Sequence, residues 1–151
     1  MDGTPLTITD DPTRDDVHYL DDRLYEYNVE KTGFSDGRWL SIFLRDDDGK
    51  VMAGLHGWAW GKCCGVDKLW IHKTWRGRGL GTRLMQAAEA EARRRGAEQI
   101  VLDTLTFQAP DFYAKLGFER VAAVDDHPRG FQRISMRKRL EKALREDGTT
   151  A

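Results

Sequence analysis

Arg76-Gly77-Arg78-Gly79-Leu80-Gly81 is the stretch that decides the fold of this chain, because of the segments on either side of it. The apolar run from Val66 to Ile71 predicts a strand before it. The run from Leu80 to Arg95 predicts an amphipathic helix after it, ending at Gly96. A basic, glycine-rich turn between a strand and a helix exposes backbone N–H groups at the positive end of a helix dipole. The turn therefore predicts a cradle for a phosphate-bearing ligand.

Length and composition indicate one globular domain. The chain has 151 residues, of which 40% are apolar and 32% are charged, and these values are ordinary for a protein with a single core. We expect one domain over 1–151, with a core from about 5 to 140 and a short C-terminal tail. No apolar run approaches the roughly 18 residues that a membrane helix needs, and the acidic N-terminus lacks the basic start of a signal peptide. We therefore expect a cytoplasmic protein with no membrane partner.

Charge is distributed unevenly along the chain. Residues 1–50 hold 13 acidic and 6 basic residues, whereas the net charge of the whole chain is only −1. This polarity suits a protein that binds an anion on one side and a cation on the other, although solvated helix faces would explain it equally well. The basic residues are scattered and the pI is about 6.4, which argues against a nucleic-acid partner. The four histidines and two cysteines lack the spacing of metal ligands, so we predict no metal site.

The periodicity of the rest of the chain predicts an α+β fold. A short first strand is expected at 6–9, then a helix with Asp11 as its N-cap and Pro12 at its first position, which ends near Gly33. A second short helix is expected at 110–116. Further strands are expected at 39–45, 50–60, 66–71, 99–104, 118–124 and 131–138. Cys63 and Cys64 fall in the predicted turn at 61–65. Hairpins and βα units together indicate a mixed, mostly antiparallel sheet.

Two nucleotide-binding motifs can be tested against the glycine-rich turn. A Walker A loop requires GxxxxGK[ST], and the chain contains no Gly-Lys-Ser or Gly-Lys-Thr. A dinucleotide fingerprint requires GxGxxG early in a βαβ unit, whereas Gly77, Gly79 and Gly81 have a different spacing and follow antiparallel strands. The pattern that remains is Arg-x-x-Gly-x-Gly at positions 76, 79 and 81.

This pattern resembles the pyrophosphate loop of the GNAT superfamily of acyl-CoA N-acyltransferases. A second motif of that family reads Ala-x-x-Leu-Tyr-x-x-x-Gly-Phe, and residues 109–118 fit it with Phe112 in place of leucine. The resemblance covers roughly residues 37–140. It implies a GNAT-like sheet with helices on both faces and a splayed strand pair at the cofactor site. It also implies acetyl-CoA as co-substrate and direct attack by an amine in a ternary complex.

The resemblance assigns a set of cofactor-binding residues. They are Leu69, Trp70, Ile71, Arg76, Gly77, Arg78, Gly79, Leu80, Gly81, Thr82, Thr106, Phe112, Tyr113 and Lys115. Thr106 stands where many relatives carry asparagine, so the contact made by that amide must be shorter, water-mediated or absent here. In relatives the tyrosine that matches Tyr113 protonates the departing thiolate, and a phenol can donate such a proton. The alternative is a tyrosine that only packs under the sheet.

Several residues are candidates for the general base of the reaction. An amine acceptor must lose a proton before it attacks a thioester, and a carboxylate near the acceptor could take that proton through water. Glu30, on the first helix, and Asp103, at the end of a strand, are our first candidates. Glu26, Asp67 and His72 are further candidates. For each of these residues alone, a surface or structural role is the competing interpretation.

The acceptor itself cannot be read from the sequence. The acidic N-terminal half favours a cationic acceptor such as a polyamine, an amino sugar of the aminoglycoside-antibiotic kind, or a lysine side chain. Of these we prefer a small molecule. Aromatic residues of the first half could line its pocket or form the core: Phe34, Trp39, Phe43, Trp58 and Trp60. A protein or peptide N-acetyltransferase and a non-catalytic acyl-CoA sensor are the alternatives. The protein could be a monomer or a homodimer, since no sequence feature fixes its oligomeric state.

Overall fold

The computed structural model describes residues 3–141, and the chain divides into two compact units, Met1–Ser35 and Asp36–Ala151. The first unit contains α1 (Arg14–Thr32), whose N-cap Thr13 accepts a hydrogen bond from the backbone N–H of Asp16. Gly33 ends the helix in the left-handed conformation, as expected of a C-terminal glycine. The predicted helix is confirmed, but it begins after Thr13 rather than at Asp11-Pro12.

The strand predicted at 6–9 was wrong. This segment forms no strand ladder within the described residues, and Leu6 and Ile8 are almost fully exposed. An alternating run becomes a strand only where a neighbour pairs with its backbone. The C-terminal tail expected beyond about residue 140 falls mainly in 142–151, outside the described residues. No helix within 3–141 has the length and apolar content needed to cross a membrane.

The second unit is built on one six-stranded sheet. Its strands are β1 (Arg38–Arg45), β2 (Val51–Trp60), β3 (Cys63–Ile71), β4 (Gln99–Leu105), β5 (Glu119–Asp125) and β6 (Gln132–Arg139). The spatial order is β1-β2-β3-β4-β6-β5, and only β3 and β4 run parallel. The helices are α2 (Leu80–Arg94) and α3 (Pro110–Lys115). The predicted α+β class with a mixed, mostly antiparallel sheet is confirmed.

The core lies between α2 and one face of this sheet. Leu84, Ala88 and Ala92 on α2 are buried, and they belong to one cluster with Leu55 of β2 and Ile100 of β4. Truncating a large side chain in such a cluster costs about 2–5 kcal/mol. Because side chains alternate across a strand, the residues between the core positions point to the opposite face of the sheet. That second face is called the open face below.

β3 and β4 separate half-way along their length. Their parallel pairing runs only from Cys63 opposite Gln99 to Val66 opposite Leu102. Beyond Val66, β3 pairs with β2 alone, and β4 pairs with β6 alone. The register between β2 and β3 also shifts there, leaving Asp67 as an extra residue on β3, as in a β-bulge. The expected splayed strand pair is therefore present, and the V-shaped opening between β3 and β4 is called the split.

Cys63 and Cys64 lie in β3 rather than in the predicted turn, which is limited to Gly61 and Lys62. Both thiols are free, and Cys64 is fully buried in the core. Burial, with a smaller effect from Cys63, raises the pKa of the Cys64 thiol to about 11. A thiol that stays protonated at neutral pH is a poor nucleophile, so an acyl-cysteine intermediate at Cys64 is disfavoured.

Candidate active site

A cavity of about 980 Å³ lies at the split on the side of α2 and α3, and is called the helix-side cavity. Most of the residues predicted to bind a cofactor line it. They are Leu69, Trp70, Ile71, Arg76, Gly77, Gly79, Leu80, Gly81, Thr82, Phe112 and Tyr113. The structure thus gathers residues from β3, the glycine-rich loop, α2 and α3 around one space of ligand size.

The loop forms because two glycines adopt backbone angles that other residues avoid. Gly77 and Gly79 have φ values of 74° and 73°, in the left-handed region. Gly79 is the N-cap residue of α2, and no side chain caps the helix by a hydrogen bond to its first N–H groups. The first N–H groups of α2 lack helical acceptors, so they are available to an anion, which the helix dipole also favours. Arg76 braces the loop, since its Nε donates to the carbonyl oxygen of Ile71 at 3.0 Å.

Gly81 contributes in a different way from the other two glycines. It lies inside α2, and a Cβ atom placed on it would stand 3.2 Å from the ring of Phe112 and 3.5 Å from Ile71. Its small size therefore allows α2 to approach α3 and β3 closely. The motif predicted that all three glycines serve the anion, whereas Gly81 has a packing role in the wall of the cavity.

Three predicted cofactor residues do not line the cavity: Arg78, Thr106 and Lys115. Arg78 is turned toward the loop, where its Nη2 donates to the carbonyl oxygen of Thr74 at 3.2 Å. Thr106 is bound to β6 instead, because its hydroxyl accepts the backbone N–H of Gln132 at 3.1 Å. Its own N–H donates to the carbonyl of Gln132 at 3.0 Å. Lys115 is an exposed residue at the end of α3.

Tyr113 sits in the wall of the helix-side cavity and is only 8% exposed. Its ring makes edge contacts with Phe112 and Phe118, at centroid distances of 5.1 and 6.0 Å. Burial raises the pKa of the phenol above its usual value. The hydroxyl therefore stays protonated at neutral pH and can act as a proton donor toward the cavity.

The two predicted base residues have different surroundings. Asp103 lines the helix-side cavity at the split, and its carboxylate accepts hydrogen bonds from Ser135 and Arg133. Burial alone would raise its pKa, but those two donors outweigh burial and lower it. A carboxylate held in its charged form is a weak proton acceptor. Glu30 is an exposed residue of α1 whose nearest ion-pair partner is Lys31, at 4.0 Å.

A second cavity, of about 660 Å³, lies at the split on the open face and is called the open-face cavity. It shares four lining residues with the helix-side cavity, namely Val66, Asp67, Leu102 and Asp103. The two spaces therefore meet where β3 and β4 part, with one cavity on each side of the sheet. Such an arrangement can bring two ligands together from opposite faces.

Trp58 and Asp67 form the β2–β3 wall of the open-face cavity. The indole of Trp58 lies over Gly65, where an added Cβ would stand 2.3 Å from the ring. Its Nε1 donates to Oδ1 of Asp67 at 3.3 Å. Of the aromatic residues considered for an acceptor pocket, Trp58 lines this cavity. Trp39 and Phe43 lie on strand β1 outside its lining.

Several residues that line the helix-side cavity were not predicted from the sequence. Gln108 is one of the polar residues among them, and its Oε1 accepts the backbone N–H of Leu105 at 3.0 Å. Thr104 is buried beside it. The alternation of Leu102 and Thr104 with Asp103 along β4 could have revealed that these two face the helices. Nothing in the local pattern pointed to Gln108, which follows a turn.

Comparison with known proteins agrees with this geometry. The family model described as Acetyltransferase (GNAT) family matches residues 7–118. An acetyltransferase of Agrobacterium fabrum is 34% identical over 108 residues, which span 68% of this chain and 75% of that protein. The blasticidin-S acetyltransferase of Streptomyces morookaense is 38% identical over 109 residues, covering 68% and 78% respectively.

A solved structure from Agrobacterium tumefaciens, described as an acetyltransferase, superposes with a TM-score of 0.80 at 29% identity. The superposition covers 91% of this chain and all of that one. The family match covers well over half of the residues, and the splayed strands and glycine-rich loop agree with it. The chain belongs to the GNAT family of acetyltransferases.

Proposed function

We propose that this acetyltransferase transfers the acetyl group of acetyl-CoA to a primary amine of a small molecule, by direct attack within a ternary complex. The observation that carries this proposal is the meeting of two cavities at the split: the glycine-rich loop lines one, and the carboxylates of Asp67 and Asp103 line both. Two substrates that enter from opposite faces would need no covalent enzyme intermediate.

The residues of the helix-side cavity fit a CoA ester. The N-terminus of α2 and the loop at Gly77 and Gly79 would hold the pyrophosphate, since their N–H groups and left-handed backbone suit an anion. The edge of β3 from Asp67 to Ile71 has no pairing to β4, so its backbone groups would bind the amide-rich arm. Acetyl-CoA would supply the activated acetyl thioester and a thiol leaving group.

Proton transfer would be divided between Tyr113 and a carboxylate. The Tyr113 hydroxyl, protonated at neutral pH, would donate to the departing sulfur. Asp67 would accept the proton of the amine, because it lines both cavities and is hydrogen-bonded to the neutral indole of Trp58. Asp103 would then attract the protonated amine before reaction rather than take its proton. Glu30, the other base candidate from the sequence, remains a prediction.

A small acceptor is favoured over a protein by the relative named for blasticidin S, a small-molecule substrate. The family match from 7 to 118 spans both compact units, and we propose that both belong to one acetyltransferase domain. An antibiotic amine is therefore a reasonable member of the substrate panel. Peptide lysines and N-terminal amines are the competing acceptors.

The test is acetyl-CoA-dependent thiol release across polyamines, aminoglycosides, blasticidin S, amino acids and lysine peptides, run beside a direct titration of acetyl-CoA. Turnover with a small amine, and none with peptides, is the expected outcome. Acetyl-CoA binding without turnover on any amine would favour a sensor over an enzyme. Absence of binding would overturn the assignment of the helix-side cavity.

A further inference from the structure

The open-face cavity carries positive as well as negative charge, and this inference rests on the proposed function. We propose that the acceptor is a zwitterion: a primary amine that also bears a carboxylate several bonds away, with the carboxylate bound by Arg137. The amine would lie at the split beside Asp67 and Asp103. A simple polycation, which the acidic half of the sequence favoured, would then be a poor substrate.

The strand register places these charges in two rows across the open face. One row runs from Trp58 through Gly65 and Val101 to Arg137. Asp103 lies two residues farther along β4, opposite Ser135 of β6. Because the two rows are separated along the strands, Asp103 and Arg137 lie at opposite ends of the cavity.

Arg137 faces the cavity, while its protein partner does not line it. Nε and Nη2 of Arg137 both donate to the same oxygen, Oε1 of Glu119, at 3.2 and 3.0 Å. Glu119 is absent from the cavity lining and its side chain is 59% exposed. A guanidinium has five N–H donors in a planar fork, so two bonds to one oxygen leave capacity for a second anion. Arg137 is the more enclosed member of the pair, with its side chain 31% exposed.

Arg133 also contributes positive charge to the open-face cavity, but it is less available than Arg137 to bind a carboxylate of the ligand. It lines the cavity too, yet it is paired with Asp103, which also lines the cavity. Those two charges cancel within the site, whereas the counter-charge of Arg137 lies outside the lining. Within residues 3–141, the open-face cavity therefore holds at one end the carboxylate of Asp67, which is hydrogen-bonded to a neutral indole, and at the other end a guanidinium whose counter-charge lies outside the lining. That polarity fits a ligand with one positive and one negative group.

The distance between Asp103 and Arg137 limits which zwitterions could span the cavity. Neighbouring strands are about 4.8 Å apart and residues rise about 3.4 Å along a strand, so the backbone positions of Asp103 and Arg137 are about 8 Å apart. An extended chain of about six bonds spans a comparable distance. An α-amino acid, whose two charged groups share one carbon, is too short. The acceptor class is therefore an ω-amino carboxylate or a larger molecule with that separation.

The experiment compares 6-aminohexanoate with its amide and with 1,6-diaminohexane, which share one length. A second matched pair is Nα-acetyl-lysine and its amide. The kcat/KM of each is measured with wild type, Arg137→Gln, Arg137→Lys and the control Arg139→Gln, a nearby β6 residue outside the cavity lining. Far-ultraviolet circular dichroism and acetyl-CoA affinity verify that each variant is folded.

We expect the carboxylates to exceed their amides by at least about tenfold in kcat/KM, as one charge-assisted contact allows. Arg137→Gln should remove that preference through KM, Arg137→Lys should keep part of it, and Arg139→Gln should keep it all. If an active enzyme shows equal kcat/KM for the acid, the amide and the diamine, the zwitterion proposal is overturned and the proposed function is not. The zwitterion proposal is likewise overturned if Arg137→Gln lowers kcat/KM by the same factor for every acceptor. Failure to acetylate any amine, with acetyl-CoA still bound, overturns the proposed function itself.

Discussion

The indole Nε1 of Trp58 donates a 3.3 Å hydrogen bond to Oδ1 of Asp67, at the bulge where β3 parts from β4. Gly65 makes this possible, because any side chain there would occupy the position of the indole ring. The bond fixes the carboxylate of Asp67 at the junction of the two cavities without neutralising its charge. Asp103, across the split, is bound instead by a guanidinium and a hydroxyl. The two carboxylates are thus set up for different roles.

Asp67→Asn should lower kcat by about 100-fold, because loss of a general base typically costs 10²–10⁴ in rate. Acetyl-CoA affinity should change little, since the substitution keeps the size of the side chain. Steady-state kinetics with a saturating amine, beside a CoA titration, measure both quantities. Asp111→Asn, an acidic residue of α3 outside both cavity linings, is the matched control. A greater loss in Asp103→Asn than in Asp67→Asn would return the base role to Asp103.

Tyr113→Phe should lower kcat by about 10- to 100-fold while leaving acetyl-CoA affinity nearly unchanged. Burial has raised the pKa of the phenol, so the wild-type hydroxyl is protonated across the neutral range. The ring contacts with Phe112 and Phe118 survive in phenylalanine, and folding should be preserved. Single-turnover rates isolate the chemical step from product release. If the variant turns over like wild type, Tyr113 has only a packing role.

Gly79→Asp should weaken acetyl-CoA binding by at least tenfold, because it places a negative charge at the start of α2 where phosphates are expected. Asparagine is the matched control, since Asn and Asp both tolerate the left-handed backbone that Gly79 adopts. A Cβ atom at this position meets nothing within 4 Å. Both variants carry the same left-handed strain at this position, so any loss of thermal stability should be similar in the two. Equal CoA affinity in the two variants would exclude charge as the cause and contradict the loop assignment.

Local pattern was enough to predict most of the second unit. The hairpin of β1 and β2 follows from alternation around the Asp46–Gly49 turn, and α2 follows from its apolar face and flanking glycines. The predicted strand at 6–9 failed because a short alternating run says nothing about whether a neighbour exists to pair with it. Cys63 and Cys64 were misplaced for a related reason: pairing of β3 with both neighbours extends the strand back toward Gly61.

The site could be predicted only in part. The loop motif and Tyr113 have a fixed sequence spacing, so both could be located without a structure. Thr106 could not, because its hydroxyl is taken up by Gln132, which is 26 residues away in the chain. The open-face cavity is less predictable still, since it is assembled from residues of five strands at register positions set by two bulges. Arg137 has no local signal that separates it from the other basic residues of β6.

The interaction between Asp103 and Arg133 should make stability depend on pH at the acid end. Although burial opposes it, the bonds from Ser135 and Arg133 lower the pKa of Asp103 in the folded state below its usual 3.8. A lowered folded-state pKa means that the unfolded chain takes up its proton first as pH falls. The stabilisation is therefore complete above about pH 5 and is lost as pH falls through the folded-state pKa.

Asp103→Asn tests this dependence. Both side chains are more than a third exposed, so the effect should be small, a fall in Tm of about 2–4 °C at pH 7 for roughly 1 kcal/mol. The difference from wild type should shrink as pH falls below the usual pKa of 3.8 and vanish once pH is below the lowered folded-state pKa, where the native carboxyl is also protonated. Thermal melts at several pH values measure it, and Arg133→Gln combined with Asp103→Asn should cost less than the sum of the two. A Tm difference that persists undiminished at pH 3 would attribute the loss to packing rather than to charge.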